Sequence, residues 1–202
     1  LERICKNINP QDIVIGSDHS FGYNRTGNAQ FLEKYSKNFN YTLVVLPDKY
    51  INNKGVSSSL IRDSILDKKV EFASDLLGYN YFIDGKVVKG KGIGRKLGFP
   101  TANIELIDAQ AIVPGNGVYC VTLEYNSNSF KGMCNIGIRP TVDNDGLRSI
   151  EVHVFTDEDL NLYEKNVRVS FLSLLRKEKT YKDIKELAKQ LEKDRYACIG
   201  NN

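Results

Sequence analysis

The stretch GVYCVTLEY, Gly117–Tyr125, has the β-branched and aromatic composition of a strand. Five more runs with a period of two surround it after Tyr81, and they are YFIDGKVV, TANIEL, KGMCNIGI, IEVHVF and NVRVSFLSLL. Turn residues separate the runs, as at Asp84-Gly85 and Asn144-Asp145-Gly146. Six short strands within about ninety residues predict a closed or nearly closed antiparallel β-barrel.

A helix is predicted after the barrel in TYKDIKELAKQLEKD. Thr180 and Asp183 have the spacing of a capping box at its start. Its apolar stripe is expected to pack against the barrel, and it consists of Ile184, Leu187, Ala188 and Leu191.

Before the barrel, apolar runs at Ile13–Ile15 and Tyr41–Leu46 flank a helical segment, which predicts a parallel α/β unit. Two helices follow in LIRDSILDKK and VEFASDLLG, with serines at the N-cap of the first and Gly78 ending the second. The fold class is therefore α+β. We place the domain boundary at Gly78, giving units 1–78 and 79–202.

Charge and cysteine content restrict the classes of protein. Basic and acidic residues number 28 and 25, and they balance on both sides of Gly78, which argues against a nucleic-acid-coating half. The four cysteines include no C-x-x-C, and no signal peptide or long apolar span is visible. We expect reduced thiols, a cytoplasmic location and no membrane partner. The chain begins at Leu1 as if inside a domain, and its oligomeric state is left open.

The glycine-rich loop KGKGIGRKLG precedes the strand TANIEL. Gly90, Gly92 and Gly94 would let backbone N–H groups approach an anion, and Arg95 and Lys96 supply positive charge. The loop suits a phosphate, although a solvated hairpin loop fits the same residues. It has neither Walker A nor Rossmann spacing.

The strand after this loop alternates, so Thr101, Asn103 and Glu105 share one face while Ala102, Ile104 and Leu106 turn to the core. A hydroxyl and an amide oxygen two residues apart are hard, neutral donors suited to a hydrated magnesium ion. A solvated strand face is the alternative.

The run IEVHVF places Glu151, His153 and Phe155 on one strand face. Glu151 is a candidate general base, and the alternatives are an exposed glutamate and a structural histidine. Two histidines exclude a multi-histidine metal site, and no Ser-His-Asp or Cys-His order suggests covalent catalysis.

These motifs resemble a known family. RKLGFPTAN, GVY, NIGIRPT and IEVHVF resemble riboflavin kinase between Tyr81 and about Asp194. Upstream, VIGSDHSFG and VSSSLIR resemble the flavin adenylyltransferase half of bifunctional bacterial FAD synthetases.

The resemblance implies roles for individual residues. Thr101 and Asn103 would hold magnesium-ATP, the loop from Gly90 to Gly98 would cover the phosphates, and Glu151 would be the base. The reaction implied is transfer of the ATP γ-phosphate to the 5′-hydroxyl of riboflavin, which gives FMN and ADP.

In the adenylyltransferase segment, the resemblance implies that Ser58, Ser59 and Arg62 contact ATP phosphates at a helix N-terminus. Asp18 and Ser20 correspond to the loop on the flavin side, where His19 is unusual. The family's H-x-G-H motif does not occur in this chain, so we expect no FAD synthesis from the chain as written.

Two other classes of function stay open from the sequence. A small barrel could bind single-stranded nucleic acid through KGKGIGRK and the aromatic residues Tyr81, Phe82 and Phe99, although the near-neutral charge opposes this. A flavin-binding module without turnover is the other alternative. The main prediction includes no nucleic-acid partner.

Overall fold

The computed structural model describes residues 1–90, 99–138, 148–156, 158, 160–181 and 183–200. The chain forms two compact units, Leu1–Val56 and Ser57–Asn202. The two helices predicted between Ser57 and Gly78 therefore belong to the same compact unit as the barrel. The boundary of sequence families near Gly78 stays a prediction.

The N-terminal unit is a small α/β element. Its elements are α1 (Glu2–Ile8), β1 (Asp12–Gly16), α2 (Ala29–Phe39), β2 (Thr42–Leu46), β3 (Tyr50–Ile51) and β4 (Lys54–Gly55). Strands β1 and β2 pair in parallel, which confirms the predicted arrangement. The buried side chains of its core are Cys5, Ile15, Leu32 and Tyr41.

The second unit contains two helices, a barrel and a final helix. Its elements are α3 (Ser58–Leu66), α4 (Val70–Leu77), β5 (Phe82–Val88), β6 (Ala102–Leu106), β7 (Gly117–Tyr125), β8 (Asn128–Ile138), β9 (Arg148–Val154), β10 (Asn166–Arg176) and α5 (Ile184–Gly200). The strands close in the order β10-β5-β6-β9-β8-β7, with antiparallel neighbours. The predicted six-stranded barrel is confirmed.

The barrel core forms because alternate residues of each strand point inward. Val152, Val169 and Phe171 are fully buried in it, and Val70 of α4 joins the same cluster. Both predicted helix caps are present. The Ser57 side chain accepts a hydrogen bond from the Leu60 amide at the start of α3, and Gly78 adopts φ 84° after α4.

The turn predicted at Asp84-Gly85 is wrong, because both residues lie inside β5. A Cβ built at Gly85 would lie 2.3 Å from the side chain of Ile104, so this glycine permits close strand packing. The tight hairpin joins β7 to β8 through Asn126 and Ser127, with φ 49° and 65°. The turn predicted at residues 144–146 lies outside the described residues.

The predicted capping box of the final helix is also wrong. Asp183 directly precedes α5, and its carboxylate accepts a hydrogen bond from the Glu186 amide at 2.9 Å. Asp183 is therefore the capping residue itself, and Thr180 lies before it. Ile184 is 63% exposed, so the apolar stripe begins later than predicted. The helix nevertheless packs against the barrel, as expected, through Leu191 and Cys198.

The expectation of four reduced thiols is wrong for one pair. Cys120 of β7 and Cys198 of α5 form a disulfide with Cα atoms 5.4 Å apart, although 78 residues separate them in sequence. Cys5 and Cys134 are buried free thiols, as predicted. No helix among the described residues has the length and apolarity to cross a membrane.

Candidate active site

A cleft of about 340 Å³ opens on the outside of the barrel beside α5. Its polar lining comes mainly from Thr101, Asn135, Glu151, Arg176, Glu178 and Tyr181. Its apolar walls include Phe99, Val118, Met133, Leu187 and Leu191. Four strands and the final helix therefore contribute to one concave surface.

Strand register brings the predicted magnesium donors and the predicted base together. Asn103 lies directly opposite Glu151 across β6 and β9, and Asn135 lies opposite Glu151 across β8 and β9. Directly opposed residues present their side chains on the same sheet face. Thr101, two residues before Asn103, lines the cleft with Glu151. Asn135 was missed as a site residue, although its outward position follows from strand alternation.

The backbone of Gly90 lies against the amide of Asn103. A Cβ built at Gly90 would come within 2.0 Å of Asn103 Nδ2, so a larger residue cannot occupy this position without rearrangement. Asn103 is only 6% exposed, whereas Glu105 on the same strand is exposed. The alternative of a solvated strand face therefore does not describe Asn103, which is buried. The other loop residues assigned to phosphate lie outside the described residues, and they are Gly92, Gly94, Arg95, Lys96 and Gly98.

A second glycine allows a carboxylate to reach the cleft. A Cβ at Gly137, within the NIGI segment of β8, would lie 2.1 Å from Glu178 Oε1. Glu178 follows β10 and lines the cleft. The glycine of this motif therefore gives space to the Glu178 side chain, a role that the sequence alone did not indicate.

The helical wall of the cleft is attached to the barrel by an ion pair. Arg176, at the end of β10, donates to both oxygens of Asp194 in α5, with the closest contact at 2.8 Å. The Asp194 side chain is 3% exposed, and Gln190 also donates to it at 2.8 Å. Sequence reasoning missed these residues, because no motif links a strand end to a helix 18 residues later.

Tyr181 contributes a buried polar atom to the cleft. Its hydroxyl is buried and has no hydrogen-bond partner among the described residues. Burial raises the pKa of the phenol, and nearby Arg176 opposes that change. The group is therefore a neutral donor available to a molecule in the cleft.

His153 lines the cleft, is largely buried, and is hydrogen-bonded to the segment before β6. Its Nδ1 lies 2.8 Å from the carbonyl oxygen of Pro100. Burial lowers the pKa of the imidazole, the hydrogen bond to the Pro100 carbonyl raises it by less, and the positive charge of Arg195 lowers it further. The imidazole is therefore neutral at neutral pH. Its hydrogen bond to Pro100 is one that a structural histidine would make.

Cys134 and the acidic side chains near the cleft are the remaining candidates for a nucleophile and for metal ligands. Burial raises the pKa of the Cys134 thiol, and the Glu151 carboxylate adds to the increase, so Cys134 is not a nucleophile. No group of three or more His, Cys, Asp or Glu side chains in the described part of the chain could hold a metal.

The residues assigned to adenylyl transfer fall into both units. Asp18 and Ser20 follow β1, where the Ser20 hydroxyl accepts a hydrogen bond from Arg25 at 2.7 Å. Ser58, Ser59 and Arg62 are exposed on α3. Their roles stay predictions.

Comparison with known proteins gives two family matches. A riboflavin kinase family model matches residues 77–199, and an FAD synthetase model matches residues 1–60.

Curated relatives named bifunctional riboflavin kinase/FMN adenylyltransferase occur in Buchnera aphidicola and Bacillus subtilis. The first is 38% identical, covering 96% of this chain and 64% of the relative. The second is 35% identical, covering 98% of this chain and 63% of the relative. The chain thus spans somewhat less than two thirds of these relatives.

A crystal structure of a macrolide-efflux protein from Streptococcus pneumoniae superposes with a TM-score of 0.87 at 31% identity, covering 98% of this chain and 62% of that one. The family match to residues 77–199 contains all six strands of the barrel and its candidate site. The chain belongs to the riboflavin kinase family.

Proposed function

We propose that the barrel unit is a riboflavin kinase, which transfers the γ-phosphoryl group of ATP to the 5′-hydroxyl of riboflavin and releases FMN and ADP. The observation that carries this proposal is the position of Glu151 directly opposite Asn103, in the cleft that Thr101 lines. A base on β9, a phosphate-side donor on β6 and another directly before β6 are groups suited to phosphoryl transfer to an alcohol.

Glu151 is assigned the role of general base. It accepts the proton of the attacking hydroxyl as the new P–O bond forms and the bond to ADP breaks. Its backbone is fixed by pairing with β6 on one side and β8 on the other. This double pairing fixes the backbone from which the Glu151 side chain projects into the cleft, since neither neighbour can shift register without disturbing the barrel core.

Thr101 and Asn103 are assigned to magnesium. The fit rests on chemistry, because the hydroxyl and amide oxygens of these side chains are hard donors, which suit an ion that keeps waters and phosphate oxygens as its other ligands. When bound, Mg²⁺ would neutralise charge on the phosphoryl group. The contact of Gly90 with Asn103 places the start of the glycine-rich segment beside these donors, which supports a phosphate role for Gly90. The role of residues 91–98 over the phosphates stays a prediction.

The apolar walls complete the assignment by offering a place for the flavin ring. Phe99, Val118 and Met133 line one cleft with the polar groups above. Flat aromatic ligands bury well against such surfaces. Because the proposed reaction consumes ATP, we place the enzyme in the cytoplasm. The adenylyltransferase activity of the longer relatives is not assigned to this chain.

The test is to incubate the purified chain with riboflavin, ATP and Mg²⁺ and to quantify FMN and ADP by chromatography, with EDTA as the metal-free arm. Glu151→Gln should lower kcat by about 10²- to 10⁴-fold. Glu105→Gln, an exposed position on β6, is the matched control and should retain the wild-type rate.

Equal rates for the two variants would contradict the role of Glu151. Flavin binding without ADP release would favour a binding module, and salt-dependent oligonucleotide binding without any flavin effect would favour a nucleic-acid protein.

A further inference from the structure

The β6–β9 ladder ends next to the proposed magnesium donors. Its two registered pairs join Ala102 to Val152 and Asn103 to Glu151. Thr101 therefore lies one residue beyond the last pair, and Pro100 before it has no N–H to donate. The backbone that carries the Thr101 hydroxyl needs another attachment if its position is to be fixed.

The side chain of His153 supplies that attachment. Continuing the register would place His153 opposite Thr101, and its Nδ1 lies 2.8 Å from the Pro100 carbonyl oxygen. Because a carbonyl can only accept, Nδ1 must carry the proton of this bond. The histidine is 6% exposed, so water competes little for the interaction.

Two aromatic rings determine the orientation of the imidazole. Phe99 contacts His153 edge-to-face with ring centroids 5.1 Å apart, and Phe155 does so at 5.6 Å. Met133 of β8 lies opposite His153 in the adjacent pair. The ring is therefore held by packing on several sides, and its donor points at Pro100 without a large loss of side-chain entropy on binding substrate.

We propose that His153 is a positioning residue for phosphoryl transfer, whose Nδ1–H holds the Pro100 carbonyl and thereby presents the Thr101 hydroxyl beside Glu151. The inference rests on the proposed kinase function, since it assigns Thr101 to the phosphate side of the site. In this role His153 acts through the Pro100 carbonyl and the backbone of Thr101.

Matched substitutions can separate this role from simple packing. His153→Asn places an amide donor near the former Nδ1, whereas His153→Leu fills the pocket without a donor. We expect His153→Leu to raise the KM for MgATP and to lower kcat by about 10-fold, the size of one lost buried hydrogen bond. Because His153 also packs against Phe99, the KM for riboflavin can change, but it should change less than the KM for MgATP. His153→Asn should lie within about 3-fold of wild type, because it restores the bond.

The outcomes distinguish this inference from the function beneath it. If the wild-type chain forms FMN but His153→Asn and His153→Leu have equal kcat and KM values, the positioning role alone is overturned. The same follows if His153→Leu changes the KM for MgATP and the KM for riboflavin equally. If His153→Leu fails to fold by circular dichroism, His153→Gln takes its place, since its donor extends toward the Nε2 position and should not restore activity. A wild-type chain that forms no FMN overturns both proposals.

Discussion

The two compact units deal differently with the edges of their sheets. The N-terminal unit has a two-stranded parallel sheet, and Val14, Val44 and Leu46 on it are 57%, 40% and 50% exposed. The barrel closes on itself, and Val152 and Phe171 inside it are fully buried. Closure removes the free edges and fixes every register, so a site built across several strands keeps its geometry.

The residues proposed for the kinase reaction also lie within one unit. The base, the magnesium donors and the cleft lie in the barrel unit, whereas Asp18 and Ser20 lie in the N-terminal unit. Substitutions in the two units should therefore have separable effects on stability and on FMN formation.

Core truncation gives the largest expected contrast. Phe171→Ala should destabilise the barrel unit by about 3–5 kcal/mol, because a fully buried ring contacting Tyr119 leaves a cavity. Leu32→Ala should destabilise the N-terminal unit and leave FMN formation intact. Urea unfolding followed together with kinase activity would check this. Parallel loss of activity in both variants would show that the units are not separable.

Removal of a proposed metal donor should change activity rather than stability. Thr101→Val keeps the side-chain volume and should lower kcat by about 10²- to 10³-fold, as loss of a transition-state contact does. The Mg²⁺ concentration for half-maximal rate should rise. Ser58→Ala on α3 is the control and should phosphorylate riboflavin normally. Steady-state assays with varied Mg²⁺ would measure both, and a normal Thr101→Val enzyme would remove that residue from the site.

The disulfide should stabilise the barrel unit alone. Cys198→Ala should lower its free energy of unfolding by about 2–4 kcal/mol, because a long loop is no longer constrained in the unfolded chain. Dithiothreitol should reproduce this loss in wild type and in Cys5→Ser, whose thiol belongs to the other unit. Denaturation with and without reductant is the measurement. Insensitivity of wild type to reductant would contradict the pairing.

The smallest expected effect is the loss of folding stability at acidic pH that His153 causes. Burial lowers the pKa of His153 in the folded state below the ordinary value of 6.5, so the unfolded chain binds the proton more readily. Stability from this group is complete above pH 6.5 and falls as the pH drops toward the folded value, by roughly 1.4 kcal/mol per pH unit at most. His153→Asn should flatten the stability of the barrel unit across this range. An unchanged acid slope would show that other groups cause it.

The sequence predicted the barrel well because its signals are local. Strand alternation assigned Ile104 to the core, and the caps at Ser57 and Gly78 follow from residue type. Local signals also misled. The Asp84-Gly85 pair has the composition of a turn, but tertiary packing against Ile104 explains its glycine.

Features that depend on distant contacts were beyond prediction. The Cys120–Cys198 bond, the Arg176–Asp194 ion pair and the contact of Glu178 with Gly137 each need the packed barrel. Within the site, Thr101, Asn103 and Glu151 could be suggested from alternation, but their pairing across two strands required the register.

The short β6–β9 ladder also affects how the barrel opens. Strands β7 and β8 pair continuously from Gly117 to Tyr125, whereas the described β6–β9 pairs are only two. Hydrogen-bonded seams open locally with a free energy that grows with their length. Transient parting of the sheet should therefore concentrate at this seam, next to the cleft, and admit ligands while the rest of the barrel stays folded.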